Sequence, residues 1–290
     1  MGIGTIVFSI VNLFLLFSFQ NQSDGWTPLL DKNLSQWETY LSYRHTSLTI
    51  TGAPKDSNGV PIKPIGLNND TCRVFSVIDE NGEPILRVSG EIYGCVCTLK
   101  EYGNYHLQLK VKWGNKKWPP RLQELKDSGL LYHSIGDYGV DYWLTWKLSH
   151  EFQIQQECFG DYWSTAGAKA DIRSRIPEGE KSYIFDKNAP LVSDRGNGDY
   201  CRRSNNVELP EGEWNTLDLF CFGDKSLQIV NGNVVLALQN SRYYKDGVEI
   251  PLTKGKIQIQ SEGAEVFYKD IKIMSIDSLP AEFASYFSSK

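Results

Sequence analysis

Between Asp127 and Trp163 the chain concentrates residues able to exchange protons with a sugar and to stack against it. Asp127-Ser128-Gly129-Leu130-Leu131-Tyr132-His133 is followed by Trp146-Lys147-Leu148-Ser149-His150-Glu151-Phe152-Gln153-Ile154-Gln155-Gln156-Glu157, and then by Gly160-Asp161-Tyr162-Trp163. On an extended strand side chains alternate, so Glu151, Gln153, Gln155 and Glu157 share one face while Phe152 and Ile154 take the other. Carboxylates and amides bond sugar hydroxyls, and the flat faces of Trp143, Trp146, Tyr162 and Trp163 suit a sugar ring. The reading is a groove that handles carbohydrate.

The surrounding pattern supplies elements to hold such a groove. Tyr105, Leu107, Leu109, Val111 and Trp113 alternate with His106, Gln108, Lys110 and Lys112, which predicts a half-buried strand. Short strands are expected at 85–90, 94–99, 216–222 and 226–230. Asn231-Gly232 reads as a type I′ hairpin turn, because both central residues need positive φ. Lys256 to Glu262 repeats the polar and aliphatic alternation, placing Gln258, Gln260 and Glu262 on one face and Ile257 and Ile259 on the other. Residues 166–203 read as long loops over the sheet, and 278–288 as a short terminal helix. Many short strands and little helical periodicity predict an all-β sandwich of two antiparallel sheets, with the polar faces of separated strands lining one hollow.

Composition narrows the partners. The net charge is −5, from 30 Lys+Arg against 35 Asp+Glu, with no long basic run, which excludes a nucleic-acid footprint. Ile3 to Phe19 is an apolar run ended by Gln20-Asn21-Gln22-Ser23-Asp24, the pattern of a secretory signal at residues 1–23, with an uncleaved anchor as the rival. A single domain over 24–290 and export to the periplasm or the exterior are therefore expected. The six cysteines, at 72, 95, 97, 158, 201 and 221, fit an oxidising compartment as disulfides, or stand as buried thiols. Cys95-x-Cys97 points two thiols to one face, but no second pair completes a zinc site.

The order and spacing of DSGLLYH, HEFQIQQE, GDYW, GEWN, VNGNVV and GKIQIQSEGAEVFYKDIKI resemble the 3-keto-disaccharide hydrolase domain family, from Gly25-Trp26 to about Ile276. The resemblance implies a concanavalin-like jelly roll, usually exported, that cleaves glycosides already oxidised to a ketone at C3. It also implies an oxidoreductase acting upstream. Members often carry Asn where this chain has Asp127, and Arg where it has His133.

A C3 ketone acidifies the hydrogen on C2; a base removes it, the C1 substituent departs, and water adds back. This chemistry needs a base, a donor at the enolate oxygen and an acid for the leaving oxygen. Glu151 and His133 are the candidates for base and partner. Glu157, Asp161 and Glu262 are candidates for proton delivery or for holding a divalent ion, although no tight ligand spacing marks a metal site. Gln153, Trp143, Trp163, Gln258 and Gln260 are expected to contact the sugar along with Asp161 and Glu262. A laminarinase-like pair is the rival chemistry, but six residues of strand hold Glu151 and Glu157 ~20 Å apart, too far for direct two-carboxylate cleavage. A lectin-like module that binds glycan without chemistry fits the same groove.

Overall fold

The computed structural model describes residue 1 and residues 25–196 and 199–288. The proposed signal segment lies outside these residues. Two antiparallel sheets pack face to face as a concanavalin-like jelly-roll sandwich. The front sheet has seven strands, in the order Tyr162–Thr165, Leu148–Gln155, Asp127–Ile135, Lys256–Ser261, Gly94–Thr98, Trp37–Leu41 and Gly66–Leu67. The back sheet has twelve, centred on Tyr105–Lys117, Ala264–Ser275 and Asn215–Phe222.

The period-two pattern decides which side chains fill the space between the sheets. Tyr105, Leu107, Leu109, Val111 and Trp113 are buried while their polar neighbours are half-exposed. From the front sheet, Leu130, Tyr132, Phe152, Ile154, Ile257 and Ile259 meet them in one core. Tyr132 and Ser226 share a hydrogen bond across the gap (2.8 Å), and so do Ser128 and Tyr268 (2.7 Å), which pairs these four hydroxyls inside the core. The hairpin between Lys225–Val230 and Asn233–Lys245 turns through Asn231 and Gly232, at φ 48° and 77°, as the Asn-Gly pair requires.

Two expectations are corrected. Residues 166–203 are not loops alone: Lys169–Arg175, Ile184–Phe185 and Leu191–Val192 extend one edge of the back sheet. Lys169–Arg175 buries Ala170, Asp171 and Ile172 in succession, so its sequence carries no alternation of apolar and polar residues to mark it as a strand. The terminal helix is a 3-10 turn, Ala281–Tyr286. All six cysteines are free thiols, and the Cys95 and Cys97 side chains do share the outer face of the front sheet.

The alternation fails at one informative place. His133 adopts φ 51° and the pairing register shifts between Tyr132 and Ile135, a β-bulge that turns its imidazole out of the outer-face series. Its ring lies edge-on to Tyr105 of the back sheet and Tyr132, with Nδ1 3.0 Å from the carbonyl of Leu252. Gly255 lies against the bulge so closely that a Cβ there would come within 2.6 Å of the Ser134 nitrogen. Gly255→Ala is therefore expected to destabilise the chain by about 2 kcal/mol, a steric cost read as a lower denaturation midpoint at unchanged m-value.

Candidate active site

A cleft of about 450 Å³ opens over one half of the outer face of the front sheet. Its floor is made by residues of three neighbouring strands that strand pairing places in rows. Trp163 stands directly across from Glu151, which in turn faces Leu131; in the next row Gln153 faces Gly129, and beyond it Gln155 faces Asp127. Glu151, Gln153, Gln155, Asp127 and Trp163 all line the cleft, as the alternation from Glu151 onward predicts.

The walls come from loops. Trp143 and Trp146 belong to the 136–147 connection, whose turn is organised by Asp141. That carboxylate accepts the backbone N–H groups of Trp143 (2.7 Å), Thr145 (2.7 Å) and Trp146 (2.6 Å). The opposite wall is Trp163 with Tyr200, ring centres 4.4 Å apart, and the Tyr200 hydroxyl donates to Asp161. Arg203 holds the same carboxylate through its backbone N–H (2.9 Å) and guanidinium (2.8 Å).

Arg121 closes one end. Its guanidinium bridges Asp127 (2.8 Å) and Glu262 (2.5 Å), and its side chain is 13% exposed. Its stem packs on Gly263, where a Cβ would come within 3.0 Å of the arginine Cβ. Two carboxylates thus share one guanidinium in a dry place. Burial raises the Asp127 carboxyl to about 6 against the pull of Arg121, and burial with the adjacent Asp127 charge raises Glu262 to about 8. The assembly carries one proton through neutral pH.

Glu151 is the least compensated group in the cleft. Burial pushes its carboxyl well above the usual carboxylate range, and the charges of Glu262, Asp127 and Asp141 push it further, while Arg121 alone draws it back. Among the described residues no hydrogen bond reaches it. A carboxyl so placed is a strong base once ionised and a proton donor when it is not.

Four of the sequence assignments do not join this cleft. His133 is turned into the core, where burial lowers its imidazole to about 4, so it is a neutral packing residue and not a base. Glu157 is exposed beyond the end of its strand at φ 67°, its N–H donating to Glu208 (2.6 Å). It cannot pair with Glu151 or deliver a proton there. Gln258 is on the predicted face but fully buried, accepting from the Cys95 thiol (3.1 Å) and donating to Ser134 (2.8 Å). The 136–147 loop and its aromatics, Tyr138 stacked on Tyr40 at 4.3 Å, cover that half of the sheet. Gln260 is likewise fully buried beneath the surface that a ligand could touch.

Other cleft residues have no sequence signal of their own. Arg121 lies in Trp118-Pro119-Pro120-Arg121, an irregular segment after a strand, and Tyr200 in a glycine-rich stretch; only the fold brings them to the site. Asp127 was visible in DSGLLYH but had no partner until Arg121 was placed. Among the described residues no group of three His, Cys, Asp or Glu side chains stands close enough to hold a metal ion.

A two-sheet jelly roll with a deep carboxylate-floored, tryptophan-walled cleft is the arrangement of a carbohydrate-active domain. The model of the 3-keto-alpha-glucoside-1,2-lyase-like domain matches residues 25–274, and the chain belongs to that family. Among solved structures, it is similar to a glycosyl hydrolase candidate of Parabacteroides distasonis, with 16% identity, 87% of this chain and 94% of the other covered, and a TM-score of 0.46. A carbohydrate-binding module of Bacillus subtilis aligns at 8% identity, over 69% of this chain and 92% of the other, with a TM-score of 0.41. The β-glucanase of Bacillus licheniformis aligns at 10% identity, over 88% and 100% of the two chains, also at 0.41. A search of curated proteins returns no match.

The charge burial at Glu151 has a thermal signature. Below pH 4.5 the carboxyl is protonated in both folded and unfolded chains and costs nothing. As pH rises the unfolded chain releases this proton first, so its contribution to stability falls until the folded carboxyl ionises too. Glu151→Gln is expected to melt with wild type near pH 4 and above it at pH 8, by about 2–4 °C for each kcal/mol of charge burial removed, measured by calorimetry across that range.

Proposed function

We propose that this chain cleaves 3-keto-α-glucosides by 1,2-elimination, with Glu151 as the base that removes the C2 proton. The observation that carries the reading is the placement of Glu151: a buried, unbonded carboxyl on the floor of a sugar-sized cleft, directly across from Trp163. The family supplies the substrate class and the bond.

The steps follow from the groups in the cleft. The Glu151 carboxylate takes the hydrogen from C2, becoming the acid, and the electron pair moves onto the C3 oxygen as an enolate. Arg121, cationic at any pH, stabilises charge developing in the cleft. The enolate collapses to form the C1–C2 double bond as the C1–O bond breaks, and the departing oxygen takes a proton. Glu262, raised to about 8, holds a proton for this at neutral pH. The enone leaves or takes up water at C1. Trp163 and Trp143 offer faces to hold the ring during these steps.

Such a substrate requires prior oxidation of a glycoside at C3, so an oxidoreductase acts upstream. The apolar run from Ile3 to Phe19 supports export, which would place the reaction outside the cytoplasm.

Incubating the purified protein with a 3-keto-glucoside and with its unoxidised parent in deuterated water tests the reading. Aglycone release from the keto compound alone, with deuterium entering at C2, is the expected result. Glu151→Gln should lower that rate by about 10²–10⁴-fold, the usual worth of a general base. Release from the parent would instead indicate direct hydrolysis, and binding without release a lectin.

A further inference from the structure

Gln260 is fully buried, yet neither its Oε1 nor its Nε2 has a hydrogen-bond partner. Its neighbour in the same alternating series, Gln258, is equally buried and bonded at both atoms. An unpaired buried carboxamide is costly, and a leucine of similar volume would avoid that cost. Packing alone therefore does not account for a glutamine at this position.

The adjacent gap shows what the amide faces. Gly129 lies between Gln153 and Gln260 in the polar row of the front sheet and carries no side chain. A Cβ at this glycine would overlap the Oε1 of Gln260 on one side and the Oε1 of Glu151 on the other. Both side-chain ends therefore border the slot that the glycine leaves open. The other groups acting on Glu151 are all charged: Asp127 on the adjoining strand, Glu262 just past the Lys256–Ser261 strand, Asp141 from the covering loop, and Arg121 at the cleft end. Gln260 is a neutral group beside it, able to donate from Nε2 and accept at Oε1.

Building on the elimination reading above, we infer that Gln260 is the positioning residue for Glu151. Its amide nitrogen donates to the carboxylate, and after a half-turn of the carboxamide its oxygen accepts from the carboxylic acid. The base is thereby held in one place before and after it takes the C2 proton. Because Gln260 is sealed beneath the cleft surface, it acts through Glu151 and does not touch the sugar. The carboxamide's two ends exchange by rotation about one broad torsion, so changing partners requires no movement of the sheet.

The experiment is a carboxyl titration by NMR on protein labelled with ¹³C at glutamate side chains, with Glu151→Gln assigning the Glu151 resonance. In Gln260→Leu the Glu151 carboxyl should titrate about one pH unit higher, since the stronger bond lost is the one to the charged form. With a 3-keto-glucoside the same variant's kcat should fall about tenfold or more at little change in KM. Should leucine fail to fold, Gln260→Met is measured in the same way. An unchanged titration would overturn the inference. A shifted titration in a protein whose wild type is inactive on every keto-glucoside would leave the positioning role intact and remove the elimination reading instead.

Discussion

One guanidinium between two carboxylates anchors the site. Arg121 reaches Asp127 on a front-sheet strand and Glu262 just past the end of the neighbouring strand, tying a loop to both. A buried carboxylate needs a partner, and a single cation cannot fully satisfy two of them. The deficit extends along the floor to Glu151, where burial and the neighbouring carboxylates outweigh the pull of Arg121. The raised carboxyls of this cleft are thus an outcome of undercompensated burial, localised by which strand each carboxylate sits on.

The outer face of the front sheet is divided unequally. Half is sealed by the 136–147 loop, whose aromatics pack with Tyr40, Tyr93, Leu131 and two cysteines into a second small core. The other half stays open. The same loop serves both: Asp141 fixes the turn with one carboxylate while Trp143 and Trp146 face the cleft. Sealing one half makes the adjoining half dry enough to perturb its carboxyls, since a low local dielectric strengthens every interaction among them.

How much of this could be read beforehand follows from where the information is stored. Strand alternation is local, so the buried series through Trp113, the Asn-Gly hairpin and the shared face of Glu151, Gln153 and Gln155 were legible from residue order alone. Burial by a distant loop is not local, and Gln258 and Gln260 shared the predicted face without sharing the opening. Arg121 and Tyr200 come from irregular segments that carry no periodicity. Glu157 followed the alternation on paper, but its strand ends at Gln155 and the chain turns away. His133 obeyed the pattern up to a bulge that no single residue announces.

That inward histidine sets a limit on the acid side. His133 prefers to be neutral in the fold, at about 4 against an ordinary value of 6.5, so acidification from 6.5 downward favours the unfolded chain, which protonates first. Asp127 and Glu262, raised to about 6 and 8, act with the opposite slope: the unfolded carboxyls release their protons first, so each weakens the fold as pH climbs from the ordinary carboxylate range toward its own raised value. The groups buried for the sake of the cleft and of the bulge beside it thus pull the proton balance of folding in opposite directions, and the medium in which the chain is kept weighs on its durability through them.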